Sequence, residues 1–265
     1  MIIGNKTFDE LHTHVCGILN VTPDSFSDGG KFNNLDGALA HVEQMISEGM
    51  ELLDIGGEST RPGYTKISDE EEIERVVPVI EAVKSRFDIP VSLDTYKSRV
   101  AKAGIDAGAD LINDIWGLKY DVNMAKVIAD AGVACCLMHN RVETDYKDFV
   151  SDVIADMEEC IRIAKAAGIA DDKIMLDPGV GFAKTYEQNV EIIKNMDKLL
   201  DLGYPYLLGC SRKSVIGLTL DVDVNNRLEG TLVTSTMAVL KHAHFVRVHD
   251  IEANVRAIKM AEALR

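Results

Sequence analysis

Eight short apolar runs recur along the chain, and each ends on or beside a polar residue. A parallel strand that is buried on both faces is almost entirely hydrophobic, so each run predicts such a strand. A polar side chain at the carboxyl end of the strand then lies at the mouth of a sheet or barrel, where the active sites of parallel α/β folds are found. The runs are residues 15–21, 52–57, 90–95, 110–115, 133–139, 173–179, 204–209 and 245–249.

Segments with helical spacing separate these runs. Asp69 followed by Glu72 is typical of a helix start, in which a capping side chain is paired with an acid three residues later. Two apolar stripes that repeat every three or four residues predict long helices with one buried face. The stripes are Ile73, Val76, Val77, Ile80 and Val83, and Val150, Val153, Ile154, Met157, Ile161 and Ala164.

The regular alternation of strand and helix predicts a parallel α/β fold. Consecutive strand starts lie about 33 residues apart, which is enough for one strand, one helix and two loops. Eight such units favour a single closed (β/α)8 TIM barrel over an open sheet. No Pro- or Ser-rich linker interrupts residues 1–265, so we expect one domain. We expect the residues before Val15 to form a short N-terminal hairpin that plugs the barrel floor.

Alternation along the strands separates two sets of side chains, because successive strand residues point to opposite faces. Ser92 and Asp94 share one face of their strand, and Arg247 and His249 share one face of the last strand. We expect this polar set to face the barrel axis and the apolar residues between its members to face the helices.

Composition excludes several classes of function. The 265 residues are 46% apolar, yet no apolar run approaches the ~20 residues of a membrane-spanning helix, and the first residues lack the apolar stretch of a signal peptide. We therefore expect a soluble cytoplasmic protein. The five cysteines form no CxxC pair and are expected to be reduced core residues. A net charge of −15 argues against nucleic-acid binding but is compatible with a small anionic substrate.

Two connections between predicted strands are long and rich in glycine and polar residues. They are residues 21–34 and 58–68, whereas loops between a strand and a helix commonly have about two to six residues. Long loops at the mouth of a barrel usually serve function. We expect both to be lids over the site.

Seven segments of the chain resemble, in order, the motifs of the dihydropteroate synthase family. The first two are GILNVTPDSFSDGG at residues 17–30 and DIGGESTRPG at residues 54–63. The other five are SLDT at 92–95, IND at 112–114, DPGVGF at 177–182, SRKS at 211–214 and RVHD at 247–250. Each motif alone is weak, but the ordered set covers nearly the whole chain and is specific.

The resemblance implies an enzyme of folate biosynthesis, which joins 6-hydroxymethyl-7,8-dihydropterin diphosphate to 4-aminobenzoate and releases pyrophosphate. It also implies a Mg²⁺ cofactor, a homodimer and sulfonamides as inhibitors. An arylamine is a neutral nucleophile near pH 7, so catalysis can come from placing it and from stabilising charge as the leaving group departs. We expect a dissociative substitution, in which pyrophosphate leaves before the amine adds.

Several residues can be matched to a pterin ring. Two adjacent N–H donors of the ring suit one carboxylate, for which Asp177 is the candidate. Asn113 suits an edge with a donor beside an acceptor, Lys213 can donate to the 4-oxo and N5 atoms, and Asp94 can stabilise positive charge on the ring. The expected contacts of the pterin diphosphate are Thr60, Asp94, Asn113, Ile115, Met138, Asp177, Lys213, Arg247, Val248 and His249, of which Asp94, Lys213, Arg247 and His249 are the expected catalytic residues.

Further residues are expected to bind the diphosphate and the second substrate, 4-aminobenzoate. Arg247 and His249 precede a helix that is expected to start near Ile251, so that side-chain donors and helix amides would meet at one anion. Asn20 is expected to ligate a Mg²⁺ ion that shares oxygen atoms with the diphosphate. The resemblance assigns the 4-aminobenzoate pocket to Phe26, Asp28, Thr60, Arg61, Pro62, Phe182, Lys213 and Ser214.

The chain departs from the family pattern in one segment and at two single positions. The family often continues Met-His-Met-Gln-Gly after the fifth strand, where this chain has MHNRV at residues 138–142. This difference puts the packing of a lid, and any role of His139, in doubt. Val215 and Cys210 stand where phenylalanine and threonine are frequent, and both bear on the aminobenzoate pocket.

Three other functions stay open at this point. A pterin-dependent methyltransferase domain shares the barrel and the acid–amide pterin contacts, but it has no need of paired lids or of Arg247 and His249. Lys213, at the end of the seventh strand, is also a candidate Schiff-base lysine of an aldolase. A non-catalytic paralogue that only binds pterins is the third alternative.

Overall fold

The structure, a computed structural model, describes residues 1–21, 31–58 and 66–265, and it describes the side chains of the first helix from Leu35 onwards. Eight parallel strands form a ring, helices surround the ring, and a two-stranded hairpin precedes it. The strands are β1 (Ile2–Ile3), β2 (Lys6–Thr7), β3 (His14–Asn20), β4 (Leu52–Gly56), β5 (Val91–Asp94), β6 (Leu111–Asp114), β7 (Ala134–Met138), β8 (Ile174–Asp177), β9 (Leu207–Leu208) and β10 (Phe245–Val248). The helices are α1 (Lys31–Ser47), α2 (Asp69–Arg86), α3 (Ser98–Asp106), α4 (Met124–Ala131), α5 (Phe149–Ala167), α6 (Tyr186–Lys194), α7 (Ser214–Leu220), α8 (Leu228–Leu240) and α9 (Ile251–Leu264).

Hydrogen bonding closes the ring of strands. The order along the sheet is β8-β7-β6-β5-β4-β3-β10-β9, with parallel pairing throughout. The amide of Leu176 in β8 donates to Pro205 O at 2.9 Å, and a parallel bridge joins Leu176 to Tyr206 just before β9. The expected (β/α)8 barrel is therefore confirmed.

All eight predicted strands are present, and seven of them begin within one residue of the expected start. The exception is the run at residues 204–209, in which β9 begins only at Leu207. Pro205 explains this later start because proline has no N–H to donate to a strand ladder. Its carbonyl still accepts from the neighbouring strand, so the ring stays closed at this point.

Apolar side chains fill two separate layers. Val91 and Leu93 of β5 face the layer between the sheet and the helices, as alternation requires. Inside the barrel, Ile3 and Phe8 pack with Phe245 and fill the amino end. Burying one side chain of this size stabilises a fold by about 1.5–3 kcal/mol. The hairpin predicted at the barrel floor is confirmed.

The start of α2 differs from the prediction by one residue. Ser68, rather than Asp69, is the N-cap, and its hydroxyl accepts from the amide of Glu71 at 3.1 Å. The predicted partner acid, Glu72, is buried and instead accepts from Lys97 Nζ at 2.7 Å. The apolar stripes of α2 and α5 face the core as predicted.

All five cysteines are buried and free, as predicted. Burial raises the pKa of each thiol, and a protonated thiol is a poor nucleophile and a poor metal ligand. Among the helices in the three described ranges, none has the length and apolar character that crossing a membrane requires.

Candidate active site

One row of paired residues crosses four strands at the carboxyl end of the barrel. Asn20 of β3 pairs with Gly56 of β4, Gly56 with Asp94 of β5, and Asp94 with Asn113 of β6. A β-carbon on Gly56 would stand 3.7 Å from Asn20 Oδ1 and 3.8 Å from Asp94 Oδ2. The amide of Asn20 and the carboxylate of Asp94 therefore share one edge of the barrel mouth.

A buried arginine joins two carboxylates from different strands. Arg247 of β10 donates through Nε to Asp54 of β4 and through Nη2 to Asp94 at 2.9 Å. Ser92 donates to the other oxygen of Asp54. Burial lowers the pKa of Arg247, but the two carboxylates more than offset this effect and raise it. Because an unpaired buried charge is strongly unfavourable, these contacts are what allow three charged groups inside the barrel.

Asp94 has an unusual electrostatic setting. Burial raises its pKa from 3.8 to about 7, although the nearby Arg247 opposes this shift. Oδ2 accepts from Arg247, whereas Oδ1 is buried and has no hydrogen-bond partner among the described residues. Buried acceptors without a donor are rare in native proteins and call for an explanation. A free acceptor for a ligand at this oxygen is such an explanation, and perturbed carboxylates of this kind are typical of functional sites.

Asp177 and Lys213 meet on another side of the mouth. A β-carbon on Gly209 would stand 3.4 Å from Asp177 Oδ2 and 3.7 Å from Lys213 Nζ, so both groups face one space. Lys213 Nζ donates to Val180 O, and the amide of Gly179 donates to Asp177 Oδ1 at 2.7 Å. Burial raises the pKa of Asp177 and lowers the pKa of Lys213, and each charge opposes the shift of the other.

An apolar wall flanks these polar groups. Tyr96, Ile115 and Met138 are buried against one another, and the partly buried Trp116 and Phe182 pack on them. The cluster is separate from the main core, and its members lie at or just beyond the ends of strands. Flat aromatic rings and a polarisable thioether suit contact with a planar heterocycle.

His249 makes different contacts from Arg247. Its Nδ1 lies 3.0 Å from Ser211 Oγ, and its amide donates to the same hydroxyl at 3.2 Å. Asp250 precedes α9, which starts where predicted, but its side chain pairs with Arg212 instead of capping the helix. Arg247 is already paired with Asp54 and Asp94, so an anion that binds there would share the guanidinium with two carboxylates. The predicted meeting of Arg247, His249 and the helix amides at one anion stays a prediction.

The other predicted site residues fall into three groups. The Val248 side chain is 1% exposed and packs in the outer apolar layer, as alternation predicts, so its expected contact with the ligand is one for its backbone and stays a prediction. Ser214 is exposed at the first residue of α7. Five residues of the two predicted lids lie outside the described residues, and they are Phe26, Asp28, Thr60, Arg61 and Pro62.

Three further residues belong to this arrangement but are not among the predicted site residues. Asp54 has the same strand parity as Gly56, so alternation was an available signal for its inward position. Tyr96 and Trp116 follow the ends of β5 and β6, where the alternation of a strand no longer applies. No periodic signal marks these two aromatic residues.

The departure from the family pattern at residues 138–142 has a structural role. Arg141 donates through Nε and Nη2 to Asp156 of α5, and its guanidinium lies 4.4 Å from the centre of the Tyr146 ring. His139 Nε2 lies 2.9 Å from the same aspartate. Arg141 therefore anchors the loop after β7 to α5.

The arrangement offers a polar side and an apolar side to a ligand. Two buried carboxylates, an amide and an ammonium group can hold a planar ring by its donor and acceptor edges, while the wall covers a face of the ring. Asp94 can also stabilise positive charge that develops in the ligand. Within the described ranges, no group of three or more His, Cys, Asp and Glu side chains is arranged to hold a metal ion.

Comparison with known proteins shows the family. The family of pterin binding enzymes matches residues 16–249. A protein of Clostridium beijerinckii named dihydropteroate synthase is 57% identical over 100% of this chain and 99% of its own length. A protein of Bacillus subtilis with the same name is 49% identical, over 95% of this chain and 88% of its own length.

Solved structures that are similar to this chain carry the same name as these relatives. The dihydropteroate synthase of Clostridium difficile, solved in the presence of pteroic acid, has a TM-score of 0.94 at 46% identity and covers 100% of this chain and 98% of that chain. The enzyme of Yersinia pestis in a sulfonamide drug complex has the same TM-score and coverage at 42% identity. This chain therefore belongs to the dihydropteroate synthase family of pterin-binding enzymes, which are transferases of folate synthesis.

Proposed function

We propose that this chain condenses 6-hydroxymethyl-7,8-dihydropterin diphosphate with 4-aminobenzoate to give 7,8-dihydropteroate and pyrophosphate. The observation that carries the proposal is the convergence of Asp94, Asn113, Asp177 and Lys213 on one barrel mouth beside an apolar wall. The names of the full-length relatives support the same reaction. Pteroic acid, present with one solved relative, is itself a pterin joined to an aminobenzoate.

The pterin is held by its hydrogen-bonding edges. Asp177 accepts from the 2-amino group and N3–H, and charge-assisted bonds of this kind are about twice as strong as neutral ones. The amide of Asn113 serves an edge where a donor and an acceptor adjoin, and Lys213 donates to the 4-oxo and N5 atoms. Ile115 and Met138 lie against the ring.

The reaction is a substitution in which the leaving group departs first. The bond between the exocyclic carbon and the diphosphate oxygen breaks, and its electron pair leaves with pyrophosphate. Positive charge spreads over the pterin, and this charge favours the ionised form of Asp94 beside it. The amine of 4-aminobenzoate then forms the new C–N bond with its lone pair and loses a proton to water.

Arg247 and His249 receive the diphosphate near the start of α9, where helix amides also attract an anion. The side chain of Arg247 is 20% exposed, so it can be reached from the barrel mouth. Binding of the diphosphate competes with Asp54 and Asp94 for the guanidinium. This competition would release Asp94 from its partner as the anion binds.

Mg²⁺ fits this site as an ion that is held mainly by the substrate. Asn20 offers one neutral amide oxygen at the exposed end of β3, beside Asp94. Mg²⁺ commonly takes one or two protein ligands and completes its shell with phosphate oxygens and water. When bound, the ion supplies positive charge that neutralises the departing pyrophosphate.

The 4-aminobenzoate pocket is proposed beside Phe182, Lys213 and Ser214. The Phe182 ring lies 4.9 Å from Lys213 Nζ, and Ser214 is the next residue in the chain. The sulfonamide complex of the Yersinia pestis relative supports a pocket for an aminobenzoate analogue in this family. The contributions expected from the two lids stay predictions.

The test is pyrophosphate release by the purified protein. We expect release only when both substrates and Mg²⁺ are present, and we expect Asp177→Asn to lower it strongly while Lys259→Met, an exposed change on α9, leaves it intact. Protein that binds the pterin but releases no pyrophosphate would refute the reaction and leave the non-catalytic binder. Methyl transfer to a corrinoid would instead indicate the methyltransferase, and borohydride trapping of a carbonyl substrate on Lys213 would indicate the aldolase.

We also propose that the protein forms a homodimer through the outer face of α7 and α8. Large apolar side chains on this face are exposed, including Leu218 at 67%, Val233 at 60% and Leu240 at 52%. Leu220 and Val233 line one apolar groove, which α6 forms together with these two helices. Exposed apolar patches often mark interfaces, and a symmetric dimer buries the same patch on both copies. A cytoplasmic location stays a prediction.

A further inference from the structure

The connection between β8 and α6, residues 178–185, carries contacts of the proposed site without regular secondary structure. Val180 O accepts from Lys213 Nζ, and the Phe182 ring lies 4.9 Å from the same ammonium group. Left-handed backbone angles occur at three of its residues, which are Gly179 (φ 68°), Gly181 (φ 85°) and Ala183 (φ 44°). Glycine adopts such angles freely, whereas Ala183 does so at a cost that the surrounding contacts must offset.

The start of this connection is packed closely against the end of the neighbouring strand. A β-carbon on Gly179 would stand 1.9 Å from the carbonyl oxygen of His139, so only glycine fits there. The amide of His139 in turn donates to Asp177 O at 2.8 Å. The two strand ends that carry Met138 and Asp177 are thus held against each other at this point.

Lys184 donates to three acceptors that surround it. Its Nζ lies 2.9 Å from Gly179 O, 3.0 Å from Phe182 O and 2.8 Å from His139 Nδ1. Burial lowers the pKa of Lys184 to about 7, although the charge of Asp177 opposes this shift. In its ammonium form the group has three N–H donors, and these contacts use all of them. The two carbonyls lie on either side of Val180, and Lys184 therefore closes the turn that presents the Val180 carbonyl to Lys213.

The imidazole of His139 is fixed in one protonation state by its neighbours. Because Nδ1 accepts from Lys184, the proton of the neutral ring lies on Nε2, which donates to Asp156 at 2.9 Å. Burial lowers the pKa of His139 to about 4, which agrees with a neutral ring. Asp156 also accepts from Arg141. A continuous chain of contacts therefore leads from α5 to the β8–α6 connection.

We propose that Lys184 is a positioning residue of the site: by tying Gly179 and Phe182 to His139, it fixes the backbone that orients Lys213 and Phe182 towards the ligand. The inference rests on the proposed function, in which Lys213 contacts the pterin. Lys184 itself acts through the connection and not by touching the reacting atoms. A shift of about 1 Å in a positioned group is enough to lower activity substantially.

The test compares Lys184→Met, which keeps an unbranched apolar stem but has no donor, with Lys259→Met, a change of an exposed lysine on α9. We expect amide hydrogen exchange to become faster over residues 178–185 in Lys184→Met and to stay unchanged over the rest of the barrel. We expect the dissociation constant for 6-hydroxymethylpterin to rise about tenfold, with a parallel rise in KM for the pterin diphosphate. Lys184→Arg, which keeps the charge and donors, should recover part of the affinity.

The inference would be overturned if Lys184→Met showed the same rate of amide hydrogen exchange over residues 178–185 as the wild type and the same affinity for the pterin. If Lys184→Met does not fold, Lys184→Gln, which keeps two amide donors, is measured in the same way. Wild-type protein that binds the pterin without releasing pyrophosphate refutes the proposed reaction, whereas the comparison of exchange and affinity still decides the role of Lys184. The two proposals can therefore fail separately.

Discussion

Replacing Asp94 by asparagine separates the stability of the fold from the function of the site. In the folded protein, burial raises the pKa of Asp94 to about 7 against the opposing field of Arg247, compared with 3.8 for an ordinary aspartate. Between these two pH values the folded state binds a proton more tightly than the unfolded chain. The stabilising contribution of this group is therefore fully present below pH 3.8 and is lost as the pH rises through about 7.

The size of this effect follows from the difference between the two pKa values. The interval from 3.8 to about 7, at about 1.4 kcal/mol for each pH unit, corresponds to ~4 kcal/mol in the free energy of unfolding. Asparagine carries no charge at any of these pH values, and its oxygen can still accept from Arg247. We therefore expect Asp94→Asn to gain stability relative to the wild type, by up to ~4 kcal/mol, as the pH rises from about 4 to about 8.

The assay is urea unfolding of both proteins at several pH values across this range. Asp130→Asn, at an exposed position on α4, is the matched control and should show a much smaller dependence on pH. Pyrophosphate release is measured at the upper pH, where we expect Asp94→Asn to lose activity by about 100-fold or more because the carboxylate charge is missing. If the difference in unfolding free energy between Asp94→Asn and the wild type stayed constant over this pH range, the raised pKa assigned to the buried Asp94 would be refuted. Full activity in the variant would refute its role.

Three other perturbations test the remaining parts of the site and the assembly. Asp177→Asn should weaken binding of 6-hydroxymethylpterin by roughly 10- to 100-fold, measured by calorimetry, because a charge-assisted pair of hydrogen bonds is lost; unchanged affinity would remove Asp177 from the pterin contacts. Asn20→Ala should raise the Mg²⁺ concentration that gives half-maximal pyrophosphate release by about tenfold while pterin affinity stays within about twofold; an unchanged Mg²⁺ response would exclude Asn20 as a ligand. Val233→Glu should shift the mass measured by light scattering from dimer to monomer, because a charge cannot be buried unpaired in an apolar interface; a wild-type protein that is already monomeric would contradict the proposed dimer.

Much of the barrel was predictable because two periodic signals agree along the chain. Uninterrupted apolar runs marked the strands, and alternation placed Ser92, Asp94 and Arg247 inside the barrel, where the structure has them. Each of these inferences uses only neighbouring residues. That is why the one late strand start falls at Pro205, where a single residue changes the hydrogen bonding.

The pairing of charges in the site was not predictable in this way. Arg247 and Asp54 are 193 residues apart in sequence, and their ion pair depends on the closure of the ring. Tyr96 reaches the apolar wall from beyond a strand end, where periodicity carries no information. Lys184 likewise lies in an irregular connection, and its three acceptors are brought together only by the packing of β7 beside β8.

The filled amino end of the barrel determines where substrates can enter and products can leave. Ile3, Phe8 and Phe245 fill this end with apolar side chains, whereas the polar residues of the site stand at the opposite rim, so the proposed substrates enter and the products leave at that rim. A pterin that binds at depth is then covered by whatever binds nearer the rim. With one opening at that rim, the joined product leaves by the same way through which the two substrates came in.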